Sequence, residues 1–262
     1  MKKNKERKYM VKVWRSMKRH LRSFSKNSEQ EDLHHFRTGV KKLRALIILA
    51  DSATKEPVLE KQFKPVRKIF KQAGEIRNAY INQQLGETVH ESIFIQEQQQ
   101  IMETSTLVFN ADRDQHRIWL RKTRRRLMKS ISPVSKLHLT LYYRQQLEII
   151  AADLSQLRFG EELHTSRKQL KVLLYNYPLV SHELDMPFNA AYLDQVQDAI
   201  GNWHDNQLAV TLLSSQKTDD NYELFNGLEK QAAKLKKQLA KLTMNFREQA
   251  TTVTELPIEQ VD

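Results

Sequence analysis

Four residues near the N-terminal end carry the chemistry that organises this sequence: His34, Arg37, Lys41 and Arg44. On a helix, steps of three and four residues align them in one stripe about 15 Å long. Lys42 flanks the stripe. Arginine grips phosphate oxygens through its planar fork of N–H groups, whereas lysine acts as a point charge. A flexible phosphate-rich polyanion would meet such a stripe as a preorganised row of donors. The apolar residues Leu33, Phe36, Val40, Leu43 and Ile47 run beside it, rotated by about one residue, so the cations border the core rather than oppose it. The alternative is a solvated face serving solubility. Such faces usually mix signs to gain i,i+4 pairs, and this stripe holds no acid.

The arrangement recurs. At an offset of 130, Glu31–Arg44 falls on Glu161–Leu174 with six of fourteen positions identical, His34/His164, Arg37/Arg167 and Lys41/Lys171 among them. Lys168 flanks this second stripe. At an offset of 127, Ala73-Gly74-Glu75-Ile76-Arg77-Asn78 falls on Ile200-Gly201-Asn202-Trp203-His204-Asp205. Two matches in the same order at nearly one spacing indicate an internal duplication. A further basic segment, His116–Arg126, puts Arg117, Arg121 and Arg124 on one face, and the N-terminal helix offers Lys8, Lys12, Arg15 and Arg19. Either segment could extend an electrostatic track or simply be exposed.

Charge agrees with a polyanionic partner. The formal net charge is +12, and residues 1–50 alone hold 15 Lys and Arg against 4 Asp and Glu. A field of this sign draws phosphate-rich polymers or anionic surfaces. There is no cysteine, so disulfides and thiolate metal sites are excluded. No His-Glu-x-x-His pair and no nucleophile elbow occurs, so neither a metal, a cofactor nor a catalytic residue is expected. His34 and His164 read as phosphate donors or packing residues. No apolar run reaches the length of a membrane span, and Tyr9–Leu21 is too charged for a signal-peptide core, so a cytoplasmic location is expected.

The elements that must position these residues are helices. Gly and Pro number only six each, and apolar residues recur at helical steps along most of the chain. Helices are expected at about 5–24, 29–50, 57–73, 76–102, 114–131, 134–157, 161–177, 190–200, 204–213 and 221–249. Ser28 and Glu31 have capping-box spacing, Gly74 reads as a break or bend, and Pro178 and Pro187 as brackets of a loop. The polar stretch 110–114 divides the halves. Residues 5–105 form the first repeat, 112–250 the second with 114–131 as an added basic linking helix, and 251–262 a frayed tail.

At these residues the chain resembles the CHAD family, the conserved histidine α-helical domain. The family pattern His-x-x-Arg-x-x-x-Arg-Arg-Leu-Arg reads here as His34-His35-Phe36-Arg37-Thr38-Gly39-Val40-Lys41-Lys42-Leu43-Arg44. Its second copy is matched by Leu163, His164, Arg167, Lys171, Leu173 and Tyr175, and its Leu-Gly-x-x-Arg-Asp by the segments around Gly74 and Gly201. The resemblance covers about residues 5–250. It implies an all-α fold of two antiparallel four-helix bundles related by a pseudo-twofold axis, with a basic central groove or cavity, and it implies binding of inorganic polyphosphate without catalysis. Val172 and Leu174 stand where the family often has Arg, and Asn78 where it has Asp. The Glu-x-Glu-x-Lys signature of the triphosphate-tunnel domain that often accompanies CHAD is absent, so triphosphate hydrolysis is not expected. A nucleic-acid-binding helical protein and a histidine phosphotransfer protein using His34 or His35 are the alternatives.

Overall fold

The computed structural model describes residues 3–88, 92–214 and 222–252. Among them are ten α-helices and no strand: α1 (Lys3–Asn27), α2 (Gln30–Ser52), α3 (Leu59–Thr88), α4 (Ser92–Ala111), α5 (Arg113–Ser130), α6 (Lys136–Gln156), α7 (Glu161–Val180), α8 (Ala190–Ser214), α9 (Tyr222–Thr243) and α10 (Phe246–Thr251). No helix of the described residues is long and apolar enough to cross a membrane. The chain divides into two compact units: unit 1 is Met1–Ser135 with Thr218–Leu224, and unit 2 is Lys136–Lys217 with Phe225–Asp262. The division falls later than the polar stretch at 110–114. The basic helix expected to open the second half is α5, and it packs within unit 1 on α3, α1 and α4.

Unit 1 is a bundle of four columns. Helices α1, α2 and α3 pack in succession, and α4 and α5 follow each other along α3 as the fourth column. Each helix turns its apolar stripe inward: Met10, Met17 and Phe24 on α1, Leu33, Phe36, Val40 and Leu43 on α2, and Phe63, Val66, Ile69 and Ile76 on α3 are all at most 2% exposed. Asp51, itself buried, starts α3 by accepting the backbone N–H groups of Leu59 at 3.0 Å and Glu60 at 2.8 Å, which satisfies donors that a helix start leaves open.

Unit 2 packs α6 on α7 and α7 on α8, with α10 closing against α6 and α8. Its core includes Tyr143, Leu163, Leu170, Leu193, Val196 and Leu239. Of the leucines expected along one side of the last long helix, Leu239 is fully buried while Leu228, Leu235 and Leu242 are half-buried.

Several local expectations are corrected. Ser28 does not form a capping box: its φ is +56° and its N–H bonds Phe24 O at 2.8 Å, so it ends α1 in the left-handed conformation. Glu29 precedes α2 without a side-chain cap. Gly74 lies inside an uninterrupted α3, and Gly201 inside an uninterrupted α8 that joins the two short helices expected there. The helix expected at 76–102 is instead the end of α3 and the start of α4. Pro178 sits within the last turn of α7, not at its end. The long last helix stops at Thr243, and α10 follows. Of the tail expected to fray, Thr251 closes α10 and residues from 253 onward lie outside the described residues.

Candidate polyanion-binding site

In unit 1 the stripe lies on the flank of α2 that meets α3. His34, Lys41 and Arg44 are exposed, and Arg37 is half-buried. Arg37 Nη1 donates to the carbonyl oxygen of Phe70 at 2.9 Å, and its guanidinium lies 4.2 Å from the Phe70 ring centroid. In a helix the carbonyl of residue 70 already accepts from the N–H of residue 74. Its second lone pair is open only if residue 74 has no side chain, because a helical Cβ leans toward the preceding turn and covers it. Residue 74 is glycine, and a Cβ built there would stand 2.6 Å from Arg37 Nη1.

Unit 2 repeats this contact. Arg167 Nε donates to Gln197 O at 3.1 Å, four residues before Gly201. A Cβ on Gly201 would meet Arg167 Nη2 at 2.5 Å, Cζ at 2.9 Å and Nε at 3.2 Å. The paired glycines of the sequence therefore open a helix carbonyl to the paired arginines. Both guanidiniums are held in direction by backbone and keep their remaining donors for another acceptor.

Around each arginine stand further groups. Burial, then repulsion from Arg77, draws Arg37 down to about 10, still far above neutral, so the cation persists at pH 7. His34 is also pushed below its ordinary value, first by burial and then by Arg77, with His35 and Lys41 acting in the same sense. Arg77 is thus a member of the unit 1 cluster that the stripe on α2 did not reveal. It also stacks 4.9 Å from the Tyr80 ring centroid. Arg44 reaches Glu60 at 3.4 Å with both partners largely solvated, a pair of little energetic weight. Lys42 stands one seven-residue step from His35, whose ring packs 4.7 Å from His20 of α1, so Lys42 shares the α1 flank and leaves the stripe.

In unit 2, the His164 ring packs 5.1 Å from that of His204, the counterpart of Arg77. Burial lowers His164 below its ordinary value, assisted by Lys168, His204 and Arg167. Lys168 is exposed and Lys171 half-buried. Burial and Arg167 pull Lys171 down, while Asp198, Asp194 and Asp205 act in the opposite sense. These three aspartates face the second stripe from α8. At the same offset of 127 unit 1 carries Arg67, Lys71 and Asn78 in their places. The two clusters share an arginine clasp and differ sharply in charge: unit 1 is cationic on both helices, unit 2 is partly neutralised.

Arg117, Arg121 and Arg124 are exposed on α5, across from α1, and not beside the α2 stripe. His116 is buried and bonds Gln72 Oε1 at 2.9 Å, which makes it a core residue. Trp203 is buried and Trp119 half-buried, as groove-wall or core residues would be. Among the described residues no group of three or more His, Asp or Glu side chains is arranged to hold a metal ion.

The described residues form an all-α protein with a His/Arg/Lys cluster set against a helical glycine in each unit. The CHAD domain family model matches residues 8–214, and the chain belongs to the CHAD family. The fold is similar to that in the crystal structure of the CHAD domain from the plant Ricinus communis, with a TM-score of 0.57 at 14% identity, covering 96% of this chain and 92% of that one. No curated protein matches the sequence.

Proposed function

We propose that this CHAD protein binds inorganic polyphosphate without catalysing a reaction, and that the α2/α3 cluster of unit 1 makes the tighter contact. The observation that carries the reading is the arginine clasp. Arg37 and Arg167 are each fixed by a helix carbonyl opened by glycine, so ligand binding freezes fewer side-chain rotamers than it would on a solvated lysine face. The cationic lining of α3 by Arg67, Lys71 and Arg77 favours unit 1, and the aspartates of α8 weaken unit 2. The site offers donors in a row and no base-reading pocket, which suits a ligand that repeats phosphate and nothing else.

The test is a binding titration with charge-reversal variants. Arg37→Glu with Arg167→Glu lowers affinity by more than about tenfold, or ~1.4 kcal/mol. Because both arginines are partly buried, a second pair that includes the exposed Lys41, Lys41→Glu with Arg77→Glu, serves beside them, with helical content checked by circular dichroism. Full affinity in a folded Lys41→Glu/Arg77→Glu protein contradicts the assignment.

A further inference from the structure

Unit 1 has a second cationic seam. Its columns run α1, α2, α3 and α4–α5 around the bundle, so the α1/α5 seam lies opposite the α2/α3 seam. Two adjoining hollows of about 670 and 700 Å³ open along it and share Lys18, Arg22, Arg117 and Leu120. The first is lined by six cations, Lys18, Arg22, Arg117, Arg121, Arg124 and Arg125, and by one carboxylate, Asp114, which pairs with Arg117 at 3.2 Å. The second adds Arg15, Arg19, Lys26 and Arg113 and no carboxylate. Partial desolvation, then the nearby charges of Arg22, Arg117 and Arg124, draw Lys18 below its ordinary value. Like charges gathered in a concave trough cost stability unless an anion occupies it.

The shape and floor of the trough select the anion. From Arg15 to Lys26 it runs about 17 Å along α1, bordered by α5. Its aromatic and imidazole groups, Trp14 and His116, are buried in the floor at 3% and 2% exposure, so no ring is presented for base stacking. Insertion into a membrane is equally unsuited. An interfacial helix lays its apolar face into the headgroups, and the apolar face of α1 is spent on the core through Met10, Met17, Leu21 and Phe24. What fits is a linear, base-free polyanion.

We infer that the α1/α5 trough of unit 1 holds a second segment of polyphosphate, separate from the α2/α3 cluster, so that one protein can bridge two chains. The ligand rests on the function proposed above, whereas the site does not involve its residues. The test uses the full chain with Arg121→Glu and Arg124→Glu, both exposed, and with Lys234→Glu and Lys237→Glu on α9 as a charge-matched control. With short polyphosphate, the trough variant binds one chain fewer per protein than the wild type. With long polyphosphate, it loses the light scattering of cross-linked assemblies that the wild type and the control retain. A wild-type stoichiometry in the trough variant, or an equal loss in the control, overturns the inference. So does protection of the trough by single-stranded poly(dT) or anionic phospholipid vesicles but not by polyphosphate. If the trough variant loses its chain while Lys41→Glu/Arg77→Glu loses none, the trough stands and the α2/α3 assignment falls. If the wild type binds no polyphosphate, both fall.

Discussion

Arg167 lies flat against Gly201: a β-carbon at that position would stand 2.5 Å from Nη2 and 2.9 Å from Cζ. The glycine is a gap in the side-chain surface of α8 through which the guanidinium reaches Gln197 O. Gly74 gives Arg37 the same access to Phe70 O.

Replacing either glycine separates stability from binding. Alanine in a helix interior gains about 1 kcal/mol over glycine, and the atom it strikes is the movable end of an arginine. Loss of the arginine–carbonyl bond, worth about 1.5–3 kcal/mol when charged, offsets that gain. Gly74→Ala and Gly201→Ala therefore change stability by no more than about 2 kcal/mol, read by urea denaturation. Polyphosphate affinity nevertheless drops, because the arginine loses its fixed direction. Gly201→Ala displaces its arginine further, since three guanidinium atoms must move, whereas Gly74→Ala costs more affinity because it lies in the tighter cluster.

The helices, the two stripes and the recurrence of a glycine segment after each stripe were legible in the sequence; the contact of each glycine with an arginine was not. Leu33, Phe36, Val40 and Leu43 recur at a helical period and became the buried face of α2, which placed Arg37 at the border of the core. What misled was glycine. Gly74 and Gly201 read as breaks because isolated glycine disfavours helix by about 1 kcal/mol, an amount that packing against arginine outweighs. Splitting α8 at Gly201 hid that Asp205 continues the face of Asp194 and Asp198 toward Lys171. Ser28 had the residue types of a capping box, but the tight α1–α2 turn takes it at φ +56° instead. The pairing of α5 with α1 joins segments far apart in sequence, and no local pattern announces it.

Removing the carboxylates of α8 strengthens the weaker unit. Asp194→Asn with Asp198→Asn leaves Lys171 and Arg167 less compensated. Each exposed charge contact is worth roughly 0.2–1 kcal/mol, so removing two raises polyphosphate affinity about two- to thirtyfold at low salt, with a steeper salt dependence. The reciprocal Arg67→Asp with Lys71→Asp in unit 1 lowers it. Titrations at two ionic strengths read both changes.

Acidification has two opposed effects. Folding depresses His34 and His164 below the ordinary 6.5, chiefly through burial. For a base held down in this way the stability contribution is complete above about pH 6.5 and is lost as pH falls through the folded value. Thermal melts of the free protein therefore shift down below about pH 6.5. A bound polyanion favours the imidazolium, so binding takes up protons and affinity increases over the same range. His34→Ala with His164→Ala flattens both profiles.

Asp51 anchors the N-terminus of the helix that carries Gly74 and Arg77. Its two oxygens accept Leu59 N–H and Glu60 N–H from a buried position. Asp51→Ala costs about 1–2 kcal/mol, the range of a lost helix cap. Denaturant midpoints measure this loss, and Asp51→Asn recovers part of it.

The most direct measurement is a competition at equal phosphate concentration. The wild-type protein is loaded with fluorescent polyphosphate and challenged with unlabelled polyphosphate, duplex DNA or RNA across a salt series. Polyphosphate displaces the probe, longer chains more effectively than shorter ones, and the logarithm of affinity falls linearly with the logarithm of salt, while neither nucleic acid competes on equal terms. Displacement by DNA or RNA as readily as by polyphosphate, or failure of the probe to bind, contradicts the account.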